Sequence, residues 1–311
     1  MGAASNTPAT QAEPDRPFLA IALKIIAMFL FSLMFAGVKW AGPTIPVGEI
    51  VFFRSFLGML MIVLAVLFTG GPGMLATRRI GTHALRSSLG IVGMFCNFLA
   101  VAFLPLADAT AIAFAAPMFT VILAVLMLGE RVHFFRWSAV LLGFAGVLLI
   151  IATEGPSEGG GTLIGAMLAL SGAGLSATAM IIIRRMSSHE HSEAIAFYFM
   201  GTSALVGLAT ILWGWKMPVG FELLALISTG VFGGIGQLFL TYSYRYGEAS
   251  VLAPFDYTMM IWATILGYFL FGDIPAVQVL LGASLVIAAG LLILWRERVL
   301  GRKRALRAQS L

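Results

Sequence analysis

Asp256 is the only charged residue in the 23-residue apolar stretch 249–271, ASVLAPFDYTMMIWATILGYFLF. A helix of that length reaches about 35 Å and spans a bilayer. A carboxylate inside hydrocarbon costs roughly 2.5–3.5 kcal/mol on insertion scales unless protein or water meets it. Such a group can take up a proton, which makes Asp256 the candidate for proton coupling, or it can meet a substrate amine. The structural alternatives are a cap for backbone freed by Pro254 or a partner for a buried cation. Tyr257 and Trp262 on the same stretch offer rings to an aromatic substrate, or packing. Two further polar faces accompany them. Gly90, Gly93, Asn97 and Ala100 share one helix face by their spacing, as do Gly230, Gly233, Gly234, Gln237, Thr241 and Tyr244. Such faces are too polar for lipid and look into protein or a cavity. As a pathway lining, Asn97, Gln237, Thr241 and Tyr244 hydrogen-bond without a fixed charge, which suits a zwitterion or a polar metabolite. As packing seams they are polar glue.

The stretch that positions Asp256 has a counterpart. Residues 104–130, LPLADATAIAFAAPMFTVILAVLMLGE, and residues 244–273 both run acid-Ala-hydroxyl (Asp108-Ala109-Thr110, Glu248-Ala249-Ser250). Both hold one proline in an apolar run, Pro117 and Pro254, and both end in Gly-acid, Gly129-Glu130 and Gly272-Asp273. Proline removes an intrahelical hydrogen bond, so both spans are expected to bend there and serve as gates. Shifting the sequence by 144 places Ser32 on Ser176, Glu49 on Glu193, Gly90 on Gly234, Asn97 on Thr241 and Gly146 on Gly290. Ten apolar spans are expected, near 18–40, 47–69, 83–104, 106–128, 134–153, 163–183, 193–214, 223–243, 249–271 and 276–295. Five spans per unit is odd, so the second unit enters the membrane from the opposite face. The expected fold class is an all-α membrane protein of ten transmembrane helices in two inverted five-helix repeats. The expected boundaries are a disordered cytoplasmic tail at 1–17, units at 18–153 and 163–298 with a glycine-rich linker 154–162 between them, and a basic cytoplasmic tail at 299–311.

Composition limits the class. The chain is 60% hydrophobic and 11% charged, with mean hydropathy +0.99; soluble domains carry about 25% charged residues. The excess of basic residues sorts by side. Fifteen Lys and Arg, Arg78, Arg79 and Arg86 among them, fall on the side of the termini, two on the other, and Lys24 and Arg54 lie within spans. That asymmetry puts both termini in the cytoplasm of a bacterial-type inner membrane and makes the charge a topology signal, not a nucleic-acid footprint. The last basic run can also touch anionic lipid. Lys24 and Lys39 lie near span ends and are expected to snorkel. Arg54 is expected to pair with Glu49 or reach the headgroups, the alternative being attraction of a substrate carboxylate. The single cysteine, Cys96, excludes a disulfide framework, and His189-Glu190-His191 reads as a surface loop, so no metal and no cofactor is expected. No HExxH, GxSxG or Walker loop is present, which argues against an enzyme and against ATP-driven transport by this chain alone.

The segments 104–150, which include GERVHFFRWSAVLLGFAGVLLI, and 244–273 resemble the drug/metabolite transporter superfamily, EamA type, and most closely its YddG-like exporters of aromatic and neutral amino acids. The resemblance covers about residues 18–298. It implies secondary transport of amino acids or related metabolites and a cavity among the first, third, fourth, sixth, eighth and ninth spans. Taken together, these features lead to an expected exporter of small metabolites, amino acids first, that alternates access between two units. The implied partners are a small-molecule substrate, membrane lipid and a second copy of the chain. A multidrug efflux pump is the rival within transport; a membrane-embedded enzyme or a passive channel is the rival outside it.

Overall fold

A computed structural model of the chain describes residues 17–69, 71–128, 134–153, 161–186, 190–246 and 252–309. Expectations placed on Gly129, Glu130, Glu248, Ala249 and Ser250, and on most of the first tail and the central linker, lie outside these residues. So do the side chains of Thr241, Tyr244 and Pro254.

Hydrocarbon forces a chain to satisfy its backbone internally, and long apolar runs do so as helices. The described residues contain no strand. The helices are α1 (Pro17–Ala41), α2 (Val47–Thr69), α3 (Ile80–Phe103), α4 (Leu106–Ala113), α5 (Ala116–Leu128), α6 (Phe134–Thr153), α7 (Gly161–Met186), α8 (Ser192–Ala209), α9 (Phe221–Tyr246), α10 (Thr258–Leu266) and α11 (Val277–Gln309). Seven helical stretches among the described residues are long and apolar enough to cross a membrane, and three shorter apolar ones, Trp137–Ala152, Phe255–Phe271 and Val277–Ile293, stand where further spans were expected. α11 continues as helix through most of the basic stretch, to Gln309.

The two proline-bearing spans are both interrupted. In the fourth, α4 stops at Ala113 and α5 restarts at Ala116, just ahead of Pro117. Proline lacks the N–H that a helix interior needs, and it is tolerated in a first turn, where that N–H would have no partner. In the ninth, a 3₁₀ turn, Ala253–Tyr257, holds Pro254 near its start and precedes α10. A π-helical turn, Gly267–Phe271, then ends at Gly272, whose φ of 70° is left-handed. Gly272 donates its N–H to the Tyr268 carbonyl at 3.1 Å, and Asp273 donates to Gly267 at 3.1 Å. The glycine of the Gly-acid pair is thus a helix stop, and the acid is what the stop presents.

Packing ties the halves together. The most extensive helix contacts are α1 with α9, α3 with α7, α6 with α11, and α2 with α8. Exchanging the repeat-related helices of the two halves leaves this set unchanged. Small residues permit the crossings. A side chain on Gly146 of α6 would strike the Gly282 carbonyl of α11, and one on Gly282 would strike Gly146. The largest core cluster draws Leu106, Ile112 and Met118 from the fourth span, Met260 from the ninth, and Val147 and Val286 from α6 and α11. Large apolar side chains such as Leu141, Leu205 and Leu224 remain exposed on the outside, where lipid covers them.

Candidate functional site

α1 lies alongside the ninth span, and the two meet at three levels. At the first, Lys24 Nζ is 2.7 Å from Asp256 Oδ1, with the lysine side chain 1% exposed and the aspartate 38% exposed. At the second, Phe29 and Trp262 meet edge-on at 5.1 Å between ring centres. Ser32 donates to the Met28 carbonyl at 2.9 Å and also lies 3.2 Å from the Met259 carbonyl, which fixes the register of the seam. At the third, Lys39 Nζ is 2.6 Å from Asp273 Oδ2 and 4.9 Å from the centre of the Phe271 ring. Two ion pairs thus bracket the seam. The lysines stand fifteen positions apart on α1, about 22 Å along a helix.

This corrects the expectation that Lys24 and Lys39 snorkel. Lys24 is among the most deeply buried side chains of the described residues. Burial of a cation in low dielectric demands an opposite charge, and Asp256 supplies it. The reading of Asp256 as partner of a buried cation is therefore the geometric one, while its partial exposure leaves one face of the carboxylate open to water. The sequence carried the signal: a cation and the only charge of the ninth span, each in the first third of its own span. Sequence reasoning treated the two separately and missed the pair.

The other expected pathway residues are distributed unevenly. Tyr257 adjoins Asp256 but makes no hydrogen bond with it. Its ring packs against Phe114 at the break of the fourth span, 5.0 Å between centres, and a side chain on Gly290 of α11 would collide with its hydroxyl. The Trp262 indole nitrogen is buried without a hydrogen-bond partner. Asn97 lies across α7, where a side chain on Gly172 would collide with it, and Gly93 meets Leu175 of the same helix. α7 covers that face of α3. The glycines of α9 accept α1 and α2: Gly230 lies under Leu57, Gly234 under Met61, and Gly236 against Leu30 and Phe31. Gln237 is half-buried on the same helix. Pro117 and Pro254 stand at the two breaks.

A small cavity of about 290 Å³ opens beside the Lys39 end of the seam, lined by Asp108 of α4, Thr264 and Gly267 of the ninth span, and Asp273. It belongs to both broken spans at once. At the opposite surface Thr77 donates to Glu190 Oε1 at 3.0 Å, and His83 Nε2 of α3 lies 3.3 Å from Glu190 Oε2. The tripeptide read as a loop of histidines thus uses its glutamate to tie the two halves. Partial desolvation favours a protonated Glu190, but the hydrogen bonds from Thr77 and His83 and the charge of Arg79 outweigh it and hold the carboxyl below the usual carboxylate range. No cluster with three metal-ligating side chains occurs among the described residues.

The sequence pattern of the EamA-like transporter family matches residues 18–152 and again residues 163–295. The chain is 31% identical over 272 residues to the pseudopaline exporter CntI of Pseudomonas aeruginosa, covering 86% of this chain and 93% of that relative. It is 30% identical over 278 residues to an S-adenosylmethionine uptake transporter of Rickettsia felis, covering 88% and 93%. A crystal structure with 21% sequence identity superposes with a TM-score of 0.65 over 92% of this chain and 99% of that one, a likeness of fold. Two matched units, the interlocked halves and transporter relatives along nearly the whole length agree: the chain is a membrane transporter of the EamA-like family in the drug/metabolite transporter superfamily.

Proposed function

We propose that this transporter exports a small zwitterionic metabolite, amino acids being the first candidates, across an inner membrane that both termini face from the cytoplasm. The observation that carries this reading is the Lys24–Asp256 pair, set at the break of the ninth span with its carboxylate part-exposed. A cation and an anion in contact offer complementary partners to a solute that has a carboxylate and an amine. Such a solute can replace each charge's partner without leaving either unpaired in low dielectric. Ten spans in two inverted units, 18–153 and 163–298 joined by 154–162, with tails at 1–17 and 299–311, form the frame. Alternating access then proceeds by unzipping the seam between α1 and the ninth span from one end at a time. Both bracketing ion pairs are closed here. The relatives named above work in opposite directions, one exporting pseudopaline and one taking up S-adenosylmethionine; export here rests on the resemblance to amino-acid exporters.

The test is flux. Proteoliposomes holding the purified protein are expected to show saturable counterflow of a labelled amino acid, sensitive to an imposed pH gradient if Asp256 exchanges a proton. Saturable flux of other solutes with no response to any amino acid would overturn the substrate class, and flux without counterflow would indicate a channel.

A further inference from the structure

Among the described residues, two guanidinium groups lie together with no carboxylate in ion-pair distance, one buried and one half-buried. Arg54 of α2 is 8% exposed. Its Nη1 lies 3.1 Å from the Met200 sulfur, a weak acceptor, and its charged carbon lies 5.8 Å from the centre of the Phe199 ring of α8. The charged carbon of Arg86, on α3, lies 3.8 Å from the centre of the same ring. Arg54 Nε and Arg86 Nε and Nη1 are buried with no hydrogen-bond partner. Arg54 does not pair with Glu49 as expected; Glu49 accepts the backbone N–H of Lys216 at 3.3 Å instead. Arg86, counted above as a surface charge, stands inside α3.

The ion pairs among the described residues engage Lys24, Lys39 and His83, and neither arginine. An aromatic face attracts a cation, but it saturates no in-plane N–H and does not cancel the repulsion of a second cation. The missing element is an anion with oxygens that match planar donor forks, which is the geometry of a carboxylate or a phosphate. Glycines let the ring and the two arginines pack close. A side chain on Gly90 would crowd Phe199 and Arg86 Nη1, and one on Gly233 would meet Met34 and approach Arg54 Cγ.

We infer that Arg54 and Arg86, mounted on Phe199, form a binding station for a carboxylate of the transported solute, separate from the Lys24–Asp256 pair. Burial of Arg54 among α2, α8 and α9, away from the outer surface, favours a solute that enters between the helices over a lipid phosphate. The inference rests on the transport reading above, and it narrows that substrate to a zwitterion with a second carboxylate, of which an acidic amino acid is the simplest.

The experiment measures binding, apart from flux. Purified, delipidated protein is titrated with succinate and with inorganic phosphate, using sodium chloride at matched ionic strength as the control, and its melting temperature is followed. Succinate is expected to raise the wild-type value saturably, by about 3 °C at a large excess. Arg54→Gln and Arg86→Gln are expected to lose the rise, and Arg86→Lys, which keeps the charge without the planar fork, to lose most of it. No rise beyond chloride overturns the station, as does a rise that survives in the variants. A rise seen only on adding anionic lipid overturns the solute as occupant in favour of a headgroup. A succinate-dependent rise in protein that moves no solute in proteoliposomes leaves the station standing and removes the transport role; flux without any rise does the reverse.

Discussion

The fourth and ninth spans occupy the same place in the two units, and both are broken at a proline, yet the breaks are filled differently. Around Pro117 the fourth span is closed with apolar material. Phe114 donates its N–H to the Thr110 carbonyl at 3.2 Å and Ala115 to Ile112 at 2.9 Å, and Ile112, Ala115 and Met118 are buried in the main core. Around Pro254 the ninth span instead carries a charge, Asp256, paired to α1 and partly open to water. The rings of Phe114 and Tyr257 join the two breaks directly. The repeat supplies a hinge twice, and only the second copy puts a charge on it. We read the first break as a packed pivot and the second as the contact with solute.

The largest expected effect comes from removing that charge. Asp256→Asn removes the carboxylate from the buried Lys24 ammonium, a loss of about 3 kcal/mol where a buried ion pair is broken. Melting temperature is expected to fall and labelled amino-acid flux to drop at least about tenfold. The double variant Lys24→Gln with Asp256→Asn is expected to recover the melting temperature and not the flux. If the double variant transports at the normal rate, the pair is structural and the two breaks are equivalent.

A second comparison uses the glycines that receive the breaks. Gly143 of α6 faces Met118 of the fourth span, and Gly290 of α11 faces the Tyr257 hydroxyl. A thioether swings aside at little cost, whereas a tyrosine wedged by Phe114 cannot. Gly290→Ala is expected to cost about 1–3 kcal/mol and Gly143→Ala less than about 1 kcal/mol. The measurement is thermal unfolding in detergent, with Tyr257→Phe expected to relieve part of the Gly290→Ala loss. Equal costs would show that the two hinges are packed alike.

The smallest effect lies away from both breaks, at the tie between Glu190 and His83. A carboxyl held below its usual range contributes stability above the unfolded value near about pH 4.3 and loses it as pH falls through the lower folded value. The wild-type melting temperature is therefore expected to decline on acidification below about pH 5, and Glu190→Gln is expected to flatten part of that decline. An unchanged profile would remove Glu190 as a tie between the halves and leave the helix pairs to hold them.

Much of this protein was legible in its sequence. Span positions follow from hydropathy because hydrocarbon tolerates only internally bonded backbone, and that constraint acts locally on each stretch. The two prolines announced two breaks for the same local reason. What a single side chain meets across helices is a different matter. Lys24 and Asp256 are separated by most of the chain, and Arg54 and Arg86 reach one phenylalanine from separate helices. Asn97 and Tyr257 read as cavity residues by type, yet they lie against glycines of α7 and α11. Periodicity gives a residue's face; only the crossing of helices decides whether that face meets a cavity, a glycine or an opposite charge, because the partner is chosen by packing and not by position along the chain.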